Sequence, residues 1–305
     1  MKIVPRHGWP VWWAVSKRVF AQIDRKNLGL ISAGVAFYGI LAIFPAITAV
    51  IAIWGLIGDP RAIMPQLEAF RAILPEDVFT LLGDQISALA SASTDSLGLA
   101  TILSILLALW STRAGVAALM RGMNAVYDER NRRGLAHYAS AFGLTVALIL
   151  VALISIASVV VTPFVLAILP LGTLAALALE VVRWLVAIGV LLAGTGLVYR
   201  YGPNRRGARL PWITPGAVLA VTIWAAASAG FSLYLSNFGN YNEVYGSIGA
   251  VIALLIWLFI SGFLLLLGAA FNAELERHTK MDSTVGPDRP IGERGAVVAD
   301  TYKEV

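Results

Sequence analysis

An arginine near the end of a long apolar run, followed by an asparagine, a tyrosine and an aspartate, is the arrangement in this chain best suited to hold an anion. These are Arg113, Asn124, Tyr127 and Asp128. The run before Arg113 is long enough to enter a bilayer, and polar groups that persist inside a membrane are the default functional candidates. Counted from Leu97 at about 1.5 Å per residue, Arg113 lies about 24 Å along its helix, within or just under the inner leaflet. Trp110, Ala117, Asn124 and Asp128 share its helical face. A guanidinium there can hold a phosphate bidentately, pair with Asp128 or Glu274, or snorkel to the headgroups, and the sequence leaves all three open.

Three further groups sit at the ends of apolar runs. Glu180 and Arg183, three residues apart, share one helix face toward the outer end of their run. A structural ion pair or interfacial snorkelling is the plainer reading of them, substrate contact the sharper one. The segment from Ser236 to Gly246, with Asn237, Tyr241 and Tyr245, reads as an outer turn that could meet a sugar or a headgroup. Tyrosine at an interface is also ordinary anchoring. Arg200 and Asn204 at one corner, with Asn272, Glu274 and Glu276 at the end of the last run, mark the inner exit. Pro45, inside the first run, frees a helical hydrogen bond and is a candidate gating position together with the outer-mouth residues. Gly246, Gly249, Ala250 and Ala253 give the last run a small face for close packing.

Other chemistries lack their parts. His7, His137 and His278 are far apart, and the chain has no HExxH, no GxSxG and no P-loop. There is no cysteine, which removes disulfides, thiolate metal sites and cysteine nucleophiles. Neither a metal nor another cofactor is expected, and no catalytic residue is assigned.

The elements that must position these residues follow from hydropathy and charge. Only 13% of the residues are charged and 58% are hydrophobic, against about 25% charged in a soluble domain, and mean hydropathy is +0.78. The net charge of +5 could suggest nucleic acid, but the basic residues sit at the ends of apolar runs, so they are read as topological and nucleic acid is not an expected partner. Lys and Arg fall into clusters at 2–26, 113–133, 200–209 and beyond Glu276, with only Arg61, Arg71 and Arg183 elsewhere. Because cytoplasmic loops keep Lys and Arg, this rhythm predicts an all-α protein with six transmembrane helices and both termini inside. The spans fall at about 30–57, 97–119, 138–161, 176–199, 212–238 and 247–271, with a turn between the third and fourth at Thr162, Pro163, Pro170 and Gly172. Residues 1–29 form a cytoplasmic leader in which Trp12, Trp13, Val19, Phe20 and Ile23 alternate with basic residues, a pattern that lays a helix on a membrane surface. No removable signal peptide is expected in it. The external loop 58–96 should carry an amphipathic helical segment starting near Pro75, and 277–305, rich in Gly and Pro, should be a disordered tail.

The chain also resembles a family. Ala36 to Pro45, Trp110 to Gly115, Asn124 to Asp128, Tyr199 to Asn204, Pro215-Gly216, Tyr245 to Gly249 and Leu267 to Glu274 are similar, in order, to motifs of the YihY/BrkB group of bacterial proteins, also called virulence factor BrkB-like. Phe37-Tyr38 and Ala42-Ile43 depart modestly from that pattern. The resemblance implies a six-helix protein of the bacterial inner membrane. Some members carry a ribonuclease label and others a link to serum resistance or lipid A export. A nuclease would need an acid, base or metal cluster, and the cytosolic loops offer only short basic runs with Asp128, Glu129 and scattered tail acids.

The leading reading is therefore a transporter or flippase-like protein for an amphipathic lipid, expected to be anionic, or a small solute. Arg113, Asn124, Tyr127 and Asp128 would form its inner polar site, no ATP would drive it, and membrane lipids would be its partners. A non-catalytic envelope scaffold is the alternative, and a lipid-modifying membrane enzyme comes third. Oligomeric state is not legible.

Overall fold

The computed structural model describes residues 8–57, 83, 94–168, 173–205, 214–237 and 241–304. Among them the chain is helical, in the order α1 (Trp9–Arg25), α2 (Leu28–Ile57), α3 (Thr94–Val126), α4 (Gly134–Ile168), α5 (Thr173–Tyr201), α6 (Pro215–Asn237) and α7 (Tyr241–Arg277). The described residues contain four helices long and apolar enough to cross a membrane, at Gly134–Ala152, Leu177–Tyr201, Pro215–Tyr234 and Val251–Arg277. Large apolar side chains point outward from them, Leu135, Leu150, Leu185 and Leu233 among many. Water would not tolerate so much contiguous apolar surface, whereas lipid does.

The chain divides into two compact units. The first comprises Met1–Ser32, Val116–Ala225 and Gly262–Val305, and the second Ala33–Gly115 and Ala226–Ser261. In the second, small residues set the spacing: a Cβ on Gly115 would lie 3.6 Å from Cβ of Tyr38, and one on Gly39 would lie 3.2 Å from Leu258. The Trp257 indole donates to Ser228 at 3.3 Å.

The first unit holds the polar residues of interest. α1 starts after extended Gly8, with Pro10 in the first turn, where the missing N–H costs nothing. It ends at Asn27, whose φ of 52° is the left-handed conformation that asparagine tolerates. Val15, Val19 and Gln22 are buried on one face of α1, while Trp9, Trp13 and Phe20 are exposed. α3 ends in the same way at Asp128, φ 56°. The N–H of Glu129 reaches back to Asn124 O at 2.8 Å and that of Asp128 to Ala125 O at 3.4 Å, a Schellman closure with aspartate where glycine is usual. α4 packs along α5. Val116, Ala117 and Met120 of α3 meet Ala141 and Leu144 of α4, with Leu148 and Leu197 against them. α6 crosses α7 at Gly216 and Gly268, so closely that a Cβ on Gly216 would stand 2.0 Å from the Gly268 carbonyl.

Several expectations change. The turn placed at Thr162 and Pro163 is helix, because α4 runs on to Ile168, and proline is tolerated inside apolar helices. The outer turn through Gly246 is shorter than expected, since α7 already begins at Tyr241. The expected amphipathic segment in the 58–96 loop lies, apart from Gly83 and residues 94–96, outside the described residues. The tail is not disordered. Its turns are gathered by Arg294, which donates to the carbonyls of Lys280 (2.6 Å), Arg289 (3.1 Å) and Ala299 (2.9 Å). The Asp300 carboxylate accepts from the N–H groups of Gly292, Arg294 and Gly295. Val298 and Ala296 are buried beneath it. Glycine and proline here shape turns that one arginine and one aspartate hold together.

Candidate functional site

The ends of α1, α3, α5 and α7 bring a connected set of charged and polar side chains together within the first unit. Its centre is Asp128. Lys26 Nζ lies 2.9 Å from one Asp128 carboxylate oxygen and donates to Val126 O at 2.8 Å, while Arg277 Nη2 lies 2.5 Å from the other oxygen. Arg277 also pairs with Glu274, and Glu274 accepts from the Gln22 amide. Beside this group Arg205 grips Glu276 through both terminal nitrogens, at 2.7 and 2.6 Å, and lies 5.2 Å over the Tyr127 ring. Both side chains of that pair are at least 95% buried, at 2% and 5% exposure, so removing one partner would strand the other charge at a cost of about 3–5 kcal/mol.

Burial and charge oppose one another at each group. Partial burial works against the Asp128 carboxylate, but the Lys26 ammonium and the Arg277 guanidinium outweigh it and hold its pKa below the usual carboxylate range. Burial pulls the Lys26 amine below its ordinary value despite the same bond. The same two causes balance differently because the lysine side chain is 7% exposed and the aspartate 46%, so burial costs the cation more. Burial also disfavours the Arg205 charge, yet the Glu276 hydrogen bonds raise its pKa further. The Tyr127 hydroxyl is pushed well above its usual range by burial and then by Glu276, so it stays a neutral O–H donor.

Hydrogen bonds lock the surrounding backbone. Asn124 accepts from the Asn204 N–H at 2.6 Å and donates to Asn131 at 2.8 Å, and Asn204 donates to Arg130 O. Arg132 clamps the corner after α5 through the carbonyls of Gly202 (2.9 Å) and Pro203 (2.8 Å). Asn272 holds the start of α6, accepting from Gly216 N–H and donating to Thr214, both at 2.8 Å. The tail touches the same region, where Val297 N–H donates to Glu129 at 2.9 Å and Lys303 N–H to Arg277 O at 2.8 Å.

The structure thus brings together Asn124, Tyr127, Asp128, Asn204, Asn272 and Glu274, which the sequence had divided between an inner site and an inner exit. Arg113 belongs to the second unit, where its guanidinium lies 4.5 Å over the Trp110 ring centroid. Asp128 meets Lys26 and Arg277, and Glu274 meets Arg277. Arg200 sits in the last turn of α5, 5.9 Å over the Tyr201 ring. Arg183 lies on α5. The side chains of Pro45 on α2, Glu180 on α5, Asn237 at the end of α6, and Tyr241 and Tyr245 at the start of α7 fall outside the described residues. Sequence reasoning missed Gln22, Lys26, Arg205 and Arg277 as site residues. In the sequence, Lys26, Arg205 and Arg277 read as topological charge. The signal that could have found them is the carboxylates Asp128, Glu274 and Glu276 standing at the same helix ends as those basic clusters.

Among the described residues, helical architecture with apolar outward faces, and with charged and polar side chains gathered at helix ends, defines a multi-pass membrane protein. A family model described as Virulence factor BrkB matches residues 19–291, and the chain belongs to that family. It is similar to a Bacillus subtilis (strain 168) protein named Putative ribonuclease-like protein YfkH, 30% identical over 275 residues, 82% of this chain and 90% of that one. A UPF0761 membrane protein of Kangiella koreensis is 26% identical over 284 residues, 88% of this chain and 67% of its own length. Another, from Tolumonas auensis, is 36% identical over 97 residues, 32% of this chain and 30% of its own. No solved structure matches the chain.

Proposed function

We propose that this protein is an inner-membrane transporter or flippase-like protein for an amphipathic anionic lipid or a small anionic solute, with six spans, both termini in the cytoplasm, and the network of the first unit as its polar site. One observation carries the reading. Gln22 Oε1, Tyr127 OH, Glu274 Oε2, Arg205 Nε and Arg277 Nε are buried and have no hydrogen-bond partner within the described chain. Buried polar groups without a protein partner are met by water or by a bound polar group, so a concentration of them supports a polar site at this end of the helices. They belong to the charged cluster itself, at the ends of helices whose outer faces are apolar, which supports passage of a charged group past a hydrophobic barrier. The basic clusters would draw anionic headgroups to that end of the bundle. No nucleotide-binding motif is present, so movement would be passive or ion-coupled. The ribonuclease-like name of the Bacillus relative finds less support here, because Asp128, Glu274 and Glu276 are engaged by Lys26, Arg277 and Arg205.

The test is translocation in proteoliposomes, with a headgroup-labelled lipid quenched from outside and empty vesicles as control. Protein-dependent loss of the protected pool, reduced at least about tenfold in Glu274→Gln at equal reconstitution, is expected if a barrier rise of about 1.4 kcal/mol follows from altering this carboxylate. Arg113→Ala measures the contribution of the second unit. No protein-dependent loss with anionic or zwitterionic lipids, and no protein-dependent anion flux, would remove the transport reading and favour the scaffold.

A further inference from the structure

Asp128 is held more openly than the cations it neutralises. The Lys26 and Arg277 side chains are 7% and 4% exposed, yet the carboxylate they share is 46% exposed. In an ordinary buried ion pair both partners are withdrawn from water, because each is stranded without the other. Here two buried cations converge on the two oxygens of one carboxylate that stands at the surface. That carboxylate is carried on a turn, directly after α3, by a residue in the left-handed conformation. Aspartate tolerates that conformation better than most residues with a side chain.

We infer that Lys26 and Arg277 form a seat for a phosphate group, and that Asp128 is the built-in occupant which a phosphate-bearing ligand displaces. The inference rests on the transport reading only for its biological use. Its own support is geometric. A phosphate offers paired oxygens to the same two donors, and guanidinium and ammonium groups are the usual partners of phosphate. Arg277 Nε is buried without a hydrogen-bond partner in the described chain, so the guanidinium has a donor beyond those it gives to Asp128 and Glu274. Glu274, fully buried between Gln22 and Arg277, cannot leave as Asp128 can. With Asp128 withdrawn, two cations face one carboxylate, and the seat keeps the net positive charge that an anion requires. The shared chemistry is a phosphate ester, whether on a lipid headgroup or on a soluble compound.

The experiment is equilibrium binding to the full chain in a neutral detergent. Inorganic phosphate is one probe and short-chain phosphatidic acid and phosphatidylglycerol are the others, with phosphatidylcholine as the zwitterionic comparison. Asp128→Asn keeps the side chain's size and its tolerance of the left-handed turn while removing the competing charge. It should bind phosphate or an anionic lipid about tenfold more tightly than the parent, the scale expected when one charge-assisted competitor is lost. Lys26→Gln should bind about tenfold more weakly, and Glu304→Gln, which neutralises an exposed tail acid, should match the parent. A gain confined to free phosphate assigns the seat to a soluble ligand, and a gain confined to the lipids assigns it to a headgroup. Either supports the seat. Should Lys26→Gln fail to fold, the gain in Asp128→Asn decides alone, and if that variant binds no probe more tightly, the inference is overturned. Tighter binding without translocation in liposomes would leave the seat standing and remove the transport reading. Translocation with unresponsive binding would do the reverse.

Discussion

Asp128 joins the ends of three helices through two bonds, so the protein should register its charge as stability. Its folded pKa is depressed, which means the stabilisation it gives is fully present above the unfolded value of about 3.9 and is lost as pH falls through the lower folded value. Thermal unfolding in detergent, followed from neutral pH down past that point, should show a falling midpoint in the parent. In Asp128→Asn the part of that fall due to this carboxylate should be missing. Parallel curves for parent and variant would show that the Lys26 and Arg277 bonds contribute nothing to folding. The residue scale also shows how charge can mislead. Lys26 and Arg277 look like topological basic residues and are in fact nearly buried partners of acids.

Among the elements, the crossing of α6 and α7 is the least forgiving. A Cβ on Gly268 would stand 2.3 Å from the Tyr199 hydroxyl, 2.4 Å from the Gly216 carbonyl and 2.8 Å from Ala220 Cβ. The Tyr199 hydroxyl donates to Leu265 O at 2.9 Å, and the Gly216 carbonyl is main chain, so neither can move without breaking a bond or shifting a helix. Gly268→Ala should therefore destabilise the protein by about 1–3 kcal/mol or more, read as a lowered unfolding midpoint and less monodisperse protein after extraction. Gly143→Ala, where nothing lies within 4 Å of an added Cβ, is the matched comparison and should leave both unchanged or slightly improved. Equal behaviour of the two variants would mean that the helices do not meet at Gly268. The pairing is half visible in the sequence: Pro215-Gly216 and Leu267-Gly268 stand out as motifs, but no periodicity says which small residue faces which.

At the scale of the whole molecule, the charge rhythm makes a statement about topology that can be checked directly. A reporter active only in the cytoplasm, fused after Val305, should be active, and one fused within residues 58–93 should be silent at equal abundance. A silent, folded C-terminal fusion would break the scheme of an even number of crossings. The tail belongs at this scale too. Folded through Arg294 and Asp300 and tied to Glu129 and Arg277, it is part of the first unit rather than a loose end.

Hydropathy and charge alone determined that this is a helical membrane protein, and the ordered motifs pointed to its family, because spans of apolar residues and clusters of Lys and Arg are local properties that need no knowledge of what packs where. They also picked out Asn124, Tyr127, Asp128, Asn204, Asn272 and Glu274, since polar residues at the ends of apolar runs are conspicuous in one dimension. Only the tertiary structure decided their partners. Lys26 and Asp128, Gln22 and Glu274, or Arg205 and Glu276 are separated by long stretches of chain, and an ion pair between helix ends depends on how those helices are packed, which the spacing of residues along any one of them does not record.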